Sequence, residues 1–255
     1  MRAPQIWQIA QSVRNQIYRP DKLFLAPRVI AQGMQNVVVN GVAFDVIWDF
    51  DNLVHDENGE LVRGVTEFDP TDAAGQVMVS VMGTANGERP EIELSTTGHE
   101  AGHVIFDMPA AVHANRHSRF SDTDQQLRRF RGREPDTKSP APDWKEWRAN
   151  EFMGGLLAPS HLLHRQLLQI ASDGGFPLCQ GQSFSDPQLP VVDFRKVHPP
   201  DIRHALNLTG KRLGISADFA RVRMIKYRVA LGIEDKNVVW KAHPRQATGT
   251  GYRAE

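Results

Sequence analysis

The string HEAGH at residues 99–103 constrains this chain more than any other feature. Two histidines four positions apart lie on one face of an α-helix, about one turn from each other, and can reach the same metal ion. Glu100, one position after His99, then points beside that metal rather than at it. A general base belongs there, within reach of a water whose acidity zinc has raised. The flanks suit a buried helix. Val104, Ile105 and Phe106 offer an apolar side, Gly98 and Gly102 leave room for a substrate backbone or a sheet, and Ser95, Thr96 and Thr97 are N-cap candidates. The pentapeptide alone also occurs in unrelated helices, so the rest of the chain must supply the remaining ligand.

A catalytic zinc requires a third protein ligand and an open position. The HExxHxxGxxH arrangement is excluded, because Phe106 and Pro109 stand where its glycine and third histidine belong. His113 and His117 are themselves four apart, but AAVHANRHSRF pairs them with no carboxylate and reads as a solvent-facing loop. A carboxylate on a second helix is the remaining route. In DWKEWRANEFMGGLLAP, Glu146 and Asn150 share one helix face. Glu146 can ligate while Asn150 hydrogen-bonds a ligand histidine from behind. Glu151 lies about 100° further round the helix than Asn150 and is the weaker ligand candidate.

Composition limits the alternatives. With 255 residues, 40% of them hydrophobic, the chain has material for one sizeable core or two small ones, which excludes disorder as the main reading. Thirty basic side chains balance thirty acidic ones, so no overall field draws the chain to nucleic acid or an anionic membrane. Cys179 is the single cysteine, which excludes an internal disulfide, a CxxC pair and a thiolate zinc knuckle. A reducing, cytoplasmic setting is expected. No apolar run approaches the roughly 20 residues of a membrane-spanning helix, and the glutamines of the opening segment do not suit a secretory signal.

Periodicity organises the rest. Ile6, Ile9, Ala10, Val13 and Ile17 recur at helical spacing. Between 36 and 82, NVVV, VAFDVIW, LVRGV and QVMVSVM read as strands of a small, mainly antiparallel sheet, with EIEL at 91–94 as a further short strand. Residues 109–142 read as a polar insertion or loop. Helical pattern returns at 143–171. Gly and Pro mark a linker over 176–200. A helical segment at 201–235 contains a Gly-Ile-Ser turn like that of a helix-turn-helix, and 236–255 reads as a disordered tail. Residues 1–175 then form the main domain.

HEAGH followed by EWRANEFMGGLLAP resembles the ImmA/IrrE family of metallo-endopeptidases, whose pattern is HExGH followed by ExxANxFAxxLLxP. The second motif is carried by Glu146, Ala149, Asn150, Phe152, Leu156, Leu157 and Pro159. RLGISADFARVRMIKYRVALGI at 212–233 is similar to a further helical segment of that family, so the likeness spans about 95–232. It departs in a longer gap between His103 and Glu146, and in Asp107 where the family often has a histidine.

The resemblance implies an α+β zincin-like metallopeptidase with a small sheet, an HExxH helix and a C-terminal helical subdomain. It implies one zinc ion per chain held by His99, His103 and Glu146, with Glu100 as catalytic base and Asn150 behind the ligands. The implied partner is a protein substrate, a helix-turn-helix repressor, in a cytoplasmic protein without a membrane segment. Direct nucleic-acid binding is not favoured. The rival expectation is a catalytically inactive scaffold of the same shape that regulates a repressor or antitoxin by association.

Overall fold

The structure, a computed structural model, describes residues 1–19, 22–56, 58–68, 76–118, 128–131 and 143–234. Asn40 and Gly41 both have positive φ, 51° and 78°, the geometry of a two-residue hairpin whose twist matches its flanking strands. They join β1 (Asn36–Val39) to β2 (Val42–Asp49), with Val39 opposite Val42. β3 (Gly64–Phe68), β4 (Val77–Val81) and β5 (Arg128–Arg131) complete a sheet in the order β1-β2-β4-β3-β5. The sheet is mixed, because β4 rather than β3 lies beside β2 and runs parallel to it. The other pairings are antiparallel.

Residues 91–94 are not a strand. They open α3 (Pro90–Phe106), which carries HEAGH. Pro90 presets the first turn, Glu91 and Glu93 suit the positive end of a helix, and the Glu93 carboxylate accepts from the Thr84 N–H at 2.7 Å. Four alternating residues are too short a pattern to outweigh these signals. The N-cap therefore falls on Arg89, and Ser95, Thr96 and Thr97 lie inside the helix. There Thr97 Oγ1 donates to the Glu93 carbonyl at 2.8 Å.

Part of the 109–142 segment is regular. Its start belongs to α4 (Met108–Ser118), and 128–131 form β5; the rest lies outside the described residues, as does the tail from 235. The helical stretch from 143 divides into α5 (Trp144–Leu157) and α6 (Ser160–Gly174), broken at Pro159. Asp143 caps α5 by accepting from the N–H groups of Lys145 and Glu146, at 2.9 and 3.3 Å.

Residues 176–200, expected as a linker, contribute β6 (Leu178–Cys179) and β7 (Val191–Asp193). These pair with β8 (Ala230–Leu231), which follows α7 (Pro199–Leu213) and α8 (Ala217–Tyr227). One cluster of buried apolar side chains runs from Ile6 to Ile233 and includes Leu206, Met224 and Tyr227 of the last helices. In this core α3 lies against β3 on one side and α5 on another, while α1 (Ala3–Ile17) packs on a different face of α5.

Candidate metal centre

The closeness of α3 and α5 rests on Gly102. A Cβ there would stand 2.7 Å from the Ala149 Cα, closer than packed atoms can come. Gly98 likewise faces Met153 and Leu157. Both glycines thus admit a second helix, not the sheet or substrate backbone expected from their position. The consequence is that His99 and His103 on α3 meet Glu146 on α5.

Ligand atoms of His99, His103 and Glu146 all lie within 4.8 Å of one another. The two Nε2 atoms are 3.1 Å apart. Glu146 Oε2 is 3.2 Å from His99 Nε2, and Oε1 is 3.3 Å from His103 Nε2. Donors bound at about 2.05 Å in a tetrahedron are separated by ~3.3 Å, so the spacing fits a small divalent cation. The donor set of two imidazoles and a carboxylate fits zinc chemistry.

Each imidazole is oriented through its other nitrogen. His103 Nδ1–H donates to Asp107 Oδ2 at 2.7 Å, and Arg148 Nη2 donates to Asp107 Oδ1 at 2.8 Å. His99 Nδ1–H donates to Asn150 Oδ1 at 3.2 Å. Both Nε2 atoms are thereby turned toward Glu146. Asn150 thus stands behind a histidine of the cluster, and Glu151 is directed elsewhere. Asp107 was legible only as an acid four residues after His103. Arg148 carried no sequence signal of its own.

The cluster is electrostatically coupled. Burial opposes a charge on His103, but hydrogen bonds to Asp107 and Glu146 and the nearby Glu100 carboxylate outweigh it and raise its pKa to about 10. Burial likewise works to raise the Glu146 carboxyl, but His103 and His99 hold it down to about 2. Metal-free, the site is an imidazolium paired with a carboxylate, and a cation would replace the proton.

Glu100 projects from α3 toward β3, where it is 1% exposed. Thr66 Oγ1 donates to its Oε2 at 2.7 Å, and Gly64 leaves space for Oε1, since a Cβ at 64 would come within 2.8 Å of it. Nothing in the local sequence connects Thr66 to Glu100, 34 residues later. Other polar candidates are engaged away from the cluster. The Tyr227 OH donates to the Gly154 carbonyl, buried His164 bonds Ser185 and the Pro190 carbonyl, and His161 lies exposed on α6. His113 is exposed on α4 and falls outside the three-residue group; the His117 side chain lies outside the described residues.

Among the described residues no helix is long and apolar enough to cross a membrane. The chain matches no family model and no curated protein.

Proposed function

We propose that this chain is a zinc-dependent endopeptidase of the zincin kind, related to the ImmA/IrrE metallo-endopeptidases, and that it cleaves a helix-turn-helix repressor. The observation that carries this reading is the convergence of His99, His103 and Glu146 within 4.8 Å, with Glu100 on the same helix. His99, His103 and Glu146 would hold the zinc, which when bound would polarise the scissile carbonyl and raise the acidity of water. Glu100 takes the water proton on its carboxylate and passes it to the leaving amine nitrogen as the C–N bond breaks. Thr66 keeps Glu100 Oε2 occupied, which directs proton transfer to Oε1. Asp107 and Asn150 hold the two imidazoles in the tautomer that presents Nε2.

A DNA-binding role for 201–235 is less well supported. On α8, Arg221 donates to the carbonyls of Ile233 and Glu234, while Arg223 and Lys226 both bond Glu151. Those cations are committed within the protein rather than offered to phosphates.

Elemental analysis of the purified chain tests the metal step, and incubation with a candidate repressor tests the chemistry. About one zinc per chain, lost in Glu146→Ala, is expected. Glu100→Gln should retain the zinc and leave the repressor uncut. Wild-type activity in Glu100→Gln would refute the mechanism, and a repressor inactivated but uncut by that variant would favour the binding-protein reading.

A further inference from the structure

The amphipathic helix α1 has a buried stripe and, beside it, an apolar stripe that is only partly covered. Ile6, Ala10 and Arg14 are buried, whereas Ile9, Val13 and Ile17, also four residues apart, are only partly covered. That second stripe lines a groove of about 1220 Å³ shared with Val37 and Val39 of β1 and with Phe106 of α3. β1 ends the sheet order. Val39 and Val42 flank the two-residue turn and exchange hydrogen bonds, so by antiparallel alternation the backbone N–H and C=O of Asn36 and Val38 point away from β2. Among the described residues no backbone bond satisfies them. Val38 itself is 70% exposed.

The groove is also charged in one sense. Among the described residues no carboxylate side chain lines it, and Arg148 is the only lysine or arginine that does. The Arg148 guanidinium is 30% exposed and gives Nη2 to Asp107, while its Nε–H has no partner among the described residues. An occupant that answers all three features has backbone groups for the strand edge, apolar side chains on alternate positions, and an anion.

We propose that the groove between α1 and β1 docks an extended peptide that adds a strand to β1, lays aliphatic side chains against Ile9, Val13 and Phe106, and places a carboxylate on Arg148. This is strand addition at an open sheet edge, in which backbone bonds supply affinity and alternate side chains supply selectivity. The chain's own tail is a poor occupant. KAHPRQATGTGYRAE is polar and basic, whereas the groove is apolar and carries the cation Arg148 and so calls for an apolar, anionic segment. The groove shares Arg148 with the Asp107–His103 pair, but the proposal does not rest on the peptidase reading, which can fail without it.

The test uses the full chain and the peptide Val-Thr-Val-Thr-Ile-Asp with fluorescein on its N-terminus, followed by anisotropy. Val38→Pro removes an outward N–H without touching the bonds to β2, and Ser12→Asp puts a negative charge on the groove wall. Each should weaken binding at least about tenfold, with the melting temperature and zinc content of Val38→Pro unchanged. The amidated peptide ending in Asn should bind about tenfold more weakly than the acid. Absence of binding at millimolar peptide, or equal binding by Val38→Pro and wild type, would overturn the proposal. So would decanoate binding both proteins while the peptide binds neither, which would make the occupant a fatty acid. A wild-type dimer that Val38→Pro dissolves and the peptide does not disturb would make it a second copy of this chain.

Discussion

Behind the two imidazoles stand partners of different charge, a carboxylate for His103 and an amide for His99. A carboxylate strengthens the ligand's basicity more than an amide does, and Asp107 is 5% exposed and further fixed by Arg148. Asp107→Asn should therefore weaken zinc affinity by about 10- to 100-fold, and Asn150→Ala by less, in competition titrations with a chromophoric chelator. Equal effects would mean that the charge behind His103 does not matter. The same pairings set a pH dependence in the metal-free protein. His103, raised to about 10, stabilises the fold fully below its ordinary value of 6.5 and loses that contribution as pH rises through about 10. Glu146, lowered to about 2, contributes fully above 4.5 and loses it as pH falls toward about 2. The melting temperature of the zinc-stripped wild type, measured relative to His103→Ala, should thus decline from pH 7 to 10. A rise over that interval would contradict the pairing.

At the scale of elements the centre depends on how closely two helices approach. His99 and His103 share α3, so their mutual spacing is local, but Glu146 arrives only because α5 packs against Gly102 and Gly98. Gly102→Val should push the helices apart. A destabilisation of about 1–3 kcal/mol is expected from overpacking, together with loss of zinc although every ligand is intact. Denaturant melts and elemental analysis of that variant would check it, and full zinc occupancy would show that the approach has slack. On its other side α3 meets β3, where Thr66 and Gly64 receive Glu100. Helix and sheet therefore divide the work, with α5 completing the His/His/Glu cluster and β3 holding Glu100.

Over the whole molecule, Glu151 ties the C-terminal helices to the centre. Although 1% exposed, it accepts from Trp7 Nε1 of α1 at 2.7 Å and Arg223 Nη1 of α8 at 3.1 Å, and pairs with Lys226. Burial works to raise its carboxyl, but Arg223, Lys226 and Trp7 hold it below the ordinary value. Removing the carboxylate leaves the Arg223 guanidinium buried without its counter-ion. Glu151→Ala should cost about 3–5 kcal/mol in chemical denaturation while the folded protein still binds one zinc. Loss of zinc from a folded Glu151→Ala variant would contradict the division of roles between neighbouring residues 146, 150 and 151.

What the sequence determined by itself was local. One turn of helix places His99 beside His103 and Glu146 beside Asn150, and a two-residue Asn-Gly turn makes a hairpin, because these relations follow from backbone geometry within a few residues. Asp107 belongs to the same class, four residues from His103. Tertiary structure decided the relations that span distance. It chose β4 rather than β3 as the neighbour of β2, and drew 176–200 into a small sheet with 230–231. It also set Thr66 on Glu100 and Arg223 on Glu151. Such pairings join residues tens of positions apart, and their energy comes from burial and charge compensation in a shared core, which no short stretch of sequence contains.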